Sequence, residues 1–159
     1  LALQDAQAVS AAFEAATGSA RAAAPSARID GVLLSPMAAP GIDMILGAKC
    51  DPLFGPVVMV GLGGIFVEVM EDVALARAPF DARQAMAMLR GLKAWPLLDG
   101  ARGGKRADVA ALCEAMVALS RFAAANAATI DSIDVNPLRV FGQGEGACML
   151  DALIQFADP

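Results

Sequence analysis

The chain has 159 residues, a hydrophobic fraction of 57% and a formal net charge of −5. This length supports a single domain with a sizeable core, whereas the acidic balance disfavours nucleic acid as a partner, because neutralising phosphates requires a basic face. No apolar run approaches the roughly 18 residues that a transmembrane helix needs, so we expect no membrane span.

Absent and rare residue types limit the chemistry further. Histidine and tyrosine are absent, so imidazole acid–base or phosphoryl-transfer chemistry must come from another domain. Three widely spaced cysteines, Cys50, Cys113 and Cys148, form no C-x-x-C pair and indicate reduced thiols in a cytoplasmic protein. The chain begins at Leu1 without a basic signal-peptide region, and we expect it to derive from a longer protein.

The first elements predicted are a helix and a strand. Residues 5–17 carry apolar side chains at helical spacing, with Asp5 as the N-cap and Gly18 as the stop. Residues 20–28 are predicted to be a continuation of this helix or a loop, broken at Pro25. A strand is predicted over residues 29–35 and closed by Pro36.

A second apolar strand is predicted over residues 42–47, followed by a rigid proline–glycine turn at residues 51–56. Asp43 lies at the mouth of this strand. Taken alone, it is more readily interpreted as a carboxylate that faces water than as a ligand.

Two β-branched runs, 57–60 and 65–70, are joined by the glycine-rich residues 61–64 and predict an antiparallel hairpin. Glycine-rich backbone can approach a phosphate closely, but it is equally the composition of a tight turn. Glu68 is the single acid within its apolar strand, which marks it as a candidate functional residue.

Two helices follow, with a basic segment between them. Asp81 opens a helix that runs to about residue 90, and Asp108 caps the longest helix, which runs to about residue 126. The glycine- and arginine-rich residues 100–106 fail as a phosphate loop, because Asp99 and Arg106 replace the required glycine and hydroxyl residues. We expect a flexible basic loop that meets an anion or a partner domain.

The clustered order of helices and strands predicts an α/β (α+β) fold. We expect a mixed, largely antiparallel sheet with helices over one face, in one domain that occupies residues 1–159.

Residues 133–138, near the carboxyl end, combine strand-forming residues with two oxygen-bearing side chains. Asp134 and Asn136 are two apart in an extended strand, so they project from the same face with their Cα atoms about 7 Å apart. Pro137 removes a ladder donor, which places this site at a strand edge, a strand start or a bulge.

The register of the final hairpin decides whether Asp151 joins them. An even-numbered loop centred on residues 143–144 places Asn136 opposite Asp151, whereas a five-residue loop places Asp151 on the other face. In the first case two carboxylates and an amide oxygen form a donor set that suits Mg²⁺. The alternative is a turn motif followed by a lone polar residue.

Five motifs occur in the order found in a known family, and together they cover essentially the whole chain. They are residues 41–47, 51–56, 61–68, 100–103 and 134–138 through Asp151. This pattern resembles the ATP-grasp region of nucleoside-diphosphate-forming acyl-CoA synthetases, which is related to the β subunit of succinyl-CoA synthetase. The resemblance implies the conversion of acid, CoA and ATP to acyl-CoA, ADP and phosphate through an acyl phosphate and a phosphohistidine.

The resemblance also implies roles for individual residues. Asp134, Asn136 and Asp151 match the Mg²⁺ site, with Asp134 also a catalytic acid. Asp43 matches the acid that contacts the ribose, where the family typically has Glu. The remaining matches are the adenine hinge, at Ser35, Met37 and Ala38, and a loop that faces the phosphates and the phosphohistidine, at Gly63, Gly64 and the catalytic Glu68.

The cofactors implied are ATP and Mg²⁺, and the partners are CoA-binding and His-bearing domains of the same protein. The chain then represents the C-terminal half of an ATP-grasp module that is inactive alone, and its exposed hinge surface could allow a homodimer. Two alternatives are a regulatory module fused to a protein acetyltransferase and a plain Mg²⁺- or anion-binding domain.

Overall fold

The computed structural model describes residues 3–63 and 72–157, without the side chain of Arg102. The chain divides into two compact units, Leu1–Ala38 and Ala39–Pro159. The first unit contains helix α1 (Ala6–Ala23). The second contains, in chain order, β1 (Ile42–Asp51), β2 (Gly55–Leu62), β3 (Val73–Arg77), α2 (Ala82–Gly91), α3 (Trp95–Leu98), a 3-10 turn (Ala101–Gly103), α4 (Val109–Ala125), β4 (Ile130–Val140), β5 (Ala147–Met149) and β6 (Ala152–Phe156).

Helix α1 begins as predicted and ends later than predicted. The Asp5 carboxylate accepts the N–H of Ala8 at 2.7 Å, which confirms the N-cap. The stop predicted at Gly18 is wrong, because the helix continues to Ala23. It ends where Ala24 leaves the helical region at φ −140° and ψ 80°, since the ring of the following proline disfavours the α conformation in the residue before it.

The strand predicted over residues 29–35 is wrong. No described segment pairs with these residues, and their apolar side chains are exposed, with Leu33 at 91%. A single extended segment gains no ladder hydrogen bonds, so β-branched composition alone does not make a strand.

The described residues of the second unit form a six-stranded antiparallel sheet with the order β3–β2–β1–β4–β5, in which β6 also pairs with β4. One face of this sheet packs against α2, α3 and α4. Its buried cluster includes Met44, Leu46, Val58, Val60, Leu89, Leu98, Leu112, Met116, Leu138 and Val140. The predicted α+β architecture, with an antiparallel sheet covered by helices, is confirmed.

The hairpin predicted between residues 57–60 and 65–70 is wrong in its pairing. Val57–Val60 are bonded to β1 along one edge and to β3 along the other. The observed hairpin joins β1 to β2 instead, through the turn predicted at residues 51–56, where the Asp51 carboxylate accepts the N–H groups of Leu53 and Phe54 at 2.8 and 2.9 Å. Residues 65–70, with Glu68, and the neighbouring Gly64 lie outside the described residues.

Both later helices begin at the predicted caps. Asp81 accepts the N–H of Gln84 at 2.9 Å, and Asp108 accepts that of Ala111 at 3.1 Å. The basic segment between the helices contains the 3-10 turn Ala101–Gly103.

Within residues 3–63 and 72–157, no helix combines the length and the apolar character that a bilayer span requires. The three cysteines are free thiols.

Candidate functional site

The final strands place Asn136 directly opposite Asp151. Val135 pairs with Ala152, Leu138 pairs with Met149, and the N–H of Asn136 donates to the carbonyl of Asp151 at 3.2 Å. The loop between the paired residues Val140 and Ala147 has six residues, so the even-numbered register is the observed one.

Asp134 and Asn136 of β4 lie on the sheet face that points away from α2 and α4, called the outer face below. Ile133 and Val135 are 5% and 4% exposed in the core, whereas Asp134 and Asn136 are exposed. Residues that face each other across antiparallel strands share a face, so Asp151 joins them there. The structure therefore brings these three predicted ligands to one face.

A β-bulge lies between the two halves of β4. Met44 pairs with Leu138 and Leu46 pairs with Val135, so the single residue between them on β1 faces both Asn136 and Pro137. This extra residue allows Val135 and Leu138 to enter the same core although they are an odd number of residues apart. The bulge was one of the positions that Pro137 predicted.

The three outer-face donors form an open set rather than a closed cage for a metal ion. Among the described residues, no three carboxylate, imidazole or thiol side chains cluster as a protein cage for a metal. Asp134, Asn136 and Asp151 instead supply two carboxylates and an amide oxygen, and no hydrogen bond or ion pair to a described residue occupies these side chains. Mg²⁺ typically takes few carboxylates and completes its shell with water and phosphate oxygens, which fits this set.

Asp108 holds the loop that leads to Asp151. Besides capping α4, its carboxylate accepts the N–H groups of Gly144 and Gly146 at 3.0 and 2.9 Å. The N–H groups of Ala111 and Gly146, followed by that of Gly144, lower the pKa of the Asp108 carboxyl below its ordinary value. The sequence showed the cap but no signal for the contacts with the loop.

Asp43 forms a bidentate ion pair with Arg139, which the sequence did not predict. The two residues are paired across β1 and β4, and their atoms meet at 2.8 Å (Nε to Oδ1) and 3.0 Å (Nη2 to Oδ2). The hydrogen bonds from Arg139 hold the pKa of the Asp43 carboxyl below its ordinary value. Only the register of β1 against β4 reveals this partner.

Gly63 lies against the backbone of Asp43. Its N–H donates to the Asp43 carbonyl at 2.7 Å, and a Cβ built on Gly63 would lie 2.8 Å from that oxygen and 2.9 Å from its carbon. Only glycine permits this approach without a displacement of the strand.

The residues predicted for the adenine hinge belong to the first unit. Ser35 and Met37 are exposed, and Ala38 is half-buried. Their predicted role, and those of Gly64 and Glu68 outside the described residues, stay predictions.

Comparison with known sequences matches a family profile. The profile of the ATP-grasp domain matches residues 1–156. The β subunit of an ADP-forming acetate–CoA ligase II from Pyrococcus furiosus is 42% identical over 135 residues, which cover 85% of this chain and 57% of that protein. The chain thus spans little more than half the length of that relative.

Comparison with solved structures gives the same fold. Two are of acetyl-coenzyme A synthetase 1 from Ca. Korarchaeum cryptofilum. The first, with coenzyme A, acetyl-coenzyme A and a phosphorylated phosphohistidine segment, has a TM-score of 0.89 at 33% identity, over 99% of this chain and 69% of that one. The second, with coenzyme A and Mg-AMPPCP, has a TM-score of 0.71 at 38% identity, over 76% of this chain and 55% of that one.

Proposed function

Because this chain belongs to the ATP-grasp domain family, we propose that it forms the C-terminal part of the ATP- and Mg²⁺-binding module of an ADP-forming acid–CoA ligase. The overall reaction converts acid, CoA and ATP to acyl-CoA, ADP and phosphate. The observation that carries the proposal is the register that sets Asn136 opposite Asp151 on the outer face. The relatives that are acid–CoA ligases support the reaction class.

Asp134, Asn136 and Asp151 are the residues that would hold Mg²⁺. A bound Mg²⁺ would supply charge neutralisation for phosphate oxygens during phosphoryl transfer. The chain contributes fixed placement. Asp134 and Asn136 lie on β4, and Asp151 lies between β5 and β6, where its carbonyl accepts the N–H of Asn136. The Asp108 carboxylate also fixes the loop before Asp151, because it accepts the N–H groups of Gly144 and Gly146.

Further residues of the chain are proposed to contact the nucleotide. Asp43 is the proposed acceptor for ribose hydroxyls, and the backbone of Ser35, Met37 and Ala38 is proposed to contact the adenine. Gly63, Gly64 and Glu68 are proposed to face the phosphates. The hydrogen bond from the N–H of Gly63 to the Asp43 carbonyl places these two proposed contacts side by side.

The phosphoryl acceptor must lie elsewhere in the longer protein. The chain has no histidine, so the imidazole that receives the γ-phosphoryl group is proposed to come from a separate His-bearing domain. A CoA-binding domain is the second proposed partner. The synthetase with a similar fold has a phosphohistidine segment, which supports the proposal that ATP binding and phosphoryl acceptance lie in different domains.

The test uses the full-length protein that contains this chain. Asp151→Asn keeps the size of the side chain but removes its charge, and we expect the Mg²⁺-dependent turnover of ATP to fall by at least about 100-fold. Asp131→Asn is the matched control, because Asp131 lies on the same strand outside the donor set. Equal turnover in Asp151→Asn and in wild type would remove this site from the mechanism.

A further inference from the structure

Arg139, which forms the ion pair with Asp43 on the outer face, has no role in the proposed function. The two side chains are half-buried, with 32% and 23% of their surfaces exposed. Their guanidinium–carboxylate contact is bidentate, which is the geometry that fixes both planes relative to each other.

Both residues of the ion pair also contact neighbouring glycine backbone. The Asp43 carbonyl accepts the N–H of Gly63, and a Cβ on Gly41 would lie 2.7 Å from Cγ of Arg139. The remaining end of the guanidinium, Nη1, donates to the carbonyl of Ala39 at 3.4 Å. The backbone of Asp43 and the stem of Arg139 are therefore packed against neighbouring backbone, and the guanidinium has a second acceptor besides Asp43.

The pair leaves acceptor capacity on Asp43. An ionised carboxylate offers about four acceptor directions, and a bidentate arginine takes one on each oxygen. Each oxygen keeps a further direction for a hydroxyl donor. Because aspartate is one methylene shorter than glutamate, its carboxylate reaches less far, and its orientation decides whether a hydroxyl can meet it.

We propose that Arg139 is a positioning residue that fixes the Asp43 carboxylate for a sugar hydroxyl, so that the pair selects ribonucleoside over deoxyribonucleoside triphosphates. The proposal rests on the proposed ATP-binding function. Arg139 itself does not contact the reacting phosphates in this scheme. Its effect is expressed through the carboxylate that it holds.

The experiment measures the affinities of the full-length protein for Mg²⁺ complexes of ATP, 2′-deoxy-ATP and 3′-deoxy-ATP. Wild type should bind ATP about 10-fold or more tightly than at least one deoxy analogue, as expected for one hydrogen bond to a charged acceptor. Arg139→Met should reduce that ratio to about 3-fold or less, chiefly by weakening ATP. Arg139→Lys should give a ratio between those of wild type and Arg139→Met, because the lysine ammonium keeps the positive charge but cannot bind the carboxylate through two parallel hydrogen bonds.

A matched control separates this effect from a general loss of nucleotide binding. Asp151→Asn should weaken all three nucleotides alike and leave their ratio unchanged. The proposal is overturned if Arg139→Met keeps the wild-type ratio, or if it binds ATP more tightly because Arg139 competes with the sugar for Asp43. If wild type binds none of the three nucleotides, the proposed ATP-binding function is overturned as well. If wild type binds them but Arg139→Met keeps the wild-type ratio, only the role of Arg139 is overturned.

Discussion

The carboxylate of Asp108 accepts the N–H of Gly146 at 2.9 Å, across 38 residues of sequence. One side chain therefore both starts α4 and sets the path of the loop that precedes Asp151. The helix that covers the inner face of the sheet is thereby connected directly to the register on which the outer-face donors depend.

Replacement of Asp108 by Asn should affect the loop more than the helix. The asparagine carbonyl can still cap α4, but its NH₂ group cannot accept the N–H groups of Gly144 and Gly146. We expect faster hydrogen exchange at these two amides, with the protection of the helix retained. Asp81→Asn serves as the control, since Asp81 caps α2 alone, and equal exchange at both glycines in wild type and Asp108→Asn would contradict the assigned role.

Stability should fall in acid because of three of the described aspartates. The pKa values of Asp43, Asp51 and Asp108 are lowered in the folded protein from an ordinary 3.8. Their stabilisation is therefore fully present above that value and is lost as the pH falls through the lower folded pKa. Urea unfolding of wild type and of Asp108→Asn, measured from neutral pH downward, should show a shallower acid loss for the variant. Parallel curves would contradict the prediction.

Gly63→Ala should destabilise the second unit and displace the backbone of Asp43. The added Cβ would lie 2.8 Å from the Asp43 carbonyl oxygen, and relief of such an overlap typically costs about 1–3 kcal/mol. The measurement is the free energy of unfolding. Gly91→Ala is the control, because a Cβ at Gly91 would meet no atom within 4 Å; a loss in the control as large as that in Gly63→Ala would rule out the overlap as the cause.

The elements that the sequence predicted correctly are those set by local interactions. The caps at Asp5, Asp81 and Asp108 lie within three residues of the N–H groups that they accept, and apolar spacing then identifies the helices. The turn at residues 51–56 is likewise local, because Asp51 bonds to N–H groups two and three residues ahead.

Apart from the helix stop at Gly18, which is a local error, the errors concern partners that are distant in sequence. Residues 29–35 have strand composition but no described partner, and Val57–Val60 pair with β1 and β3 rather than with the run predicted beside them. Asp43 and Arg139 are 96 residues apart. The sequence could predict two possible registers of Asn136 against Asp151, because the register depends only on whether the hairpin loop has an even or an odd number of residues. The structure was needed to choose between the two loop lengths.

Because of the bulge at Asn136 and Pro137, both halves of β4 direct their apolar side chains to the same face of the sheet. With the extra residue present, Asn136 on one side of the step and Arg139 on the other both point outward while their neighbours enter the core. Deletion of a single residue at the bulge would exchange the two faces of one half of β4, and the Arg139 side chain would then point toward the helices. The proposed Mg²⁺ ligand Asn136 and the ion pair of Asp43 with Arg139 therefore depend on the same bulge, and neither can shift along β4 independently of the other.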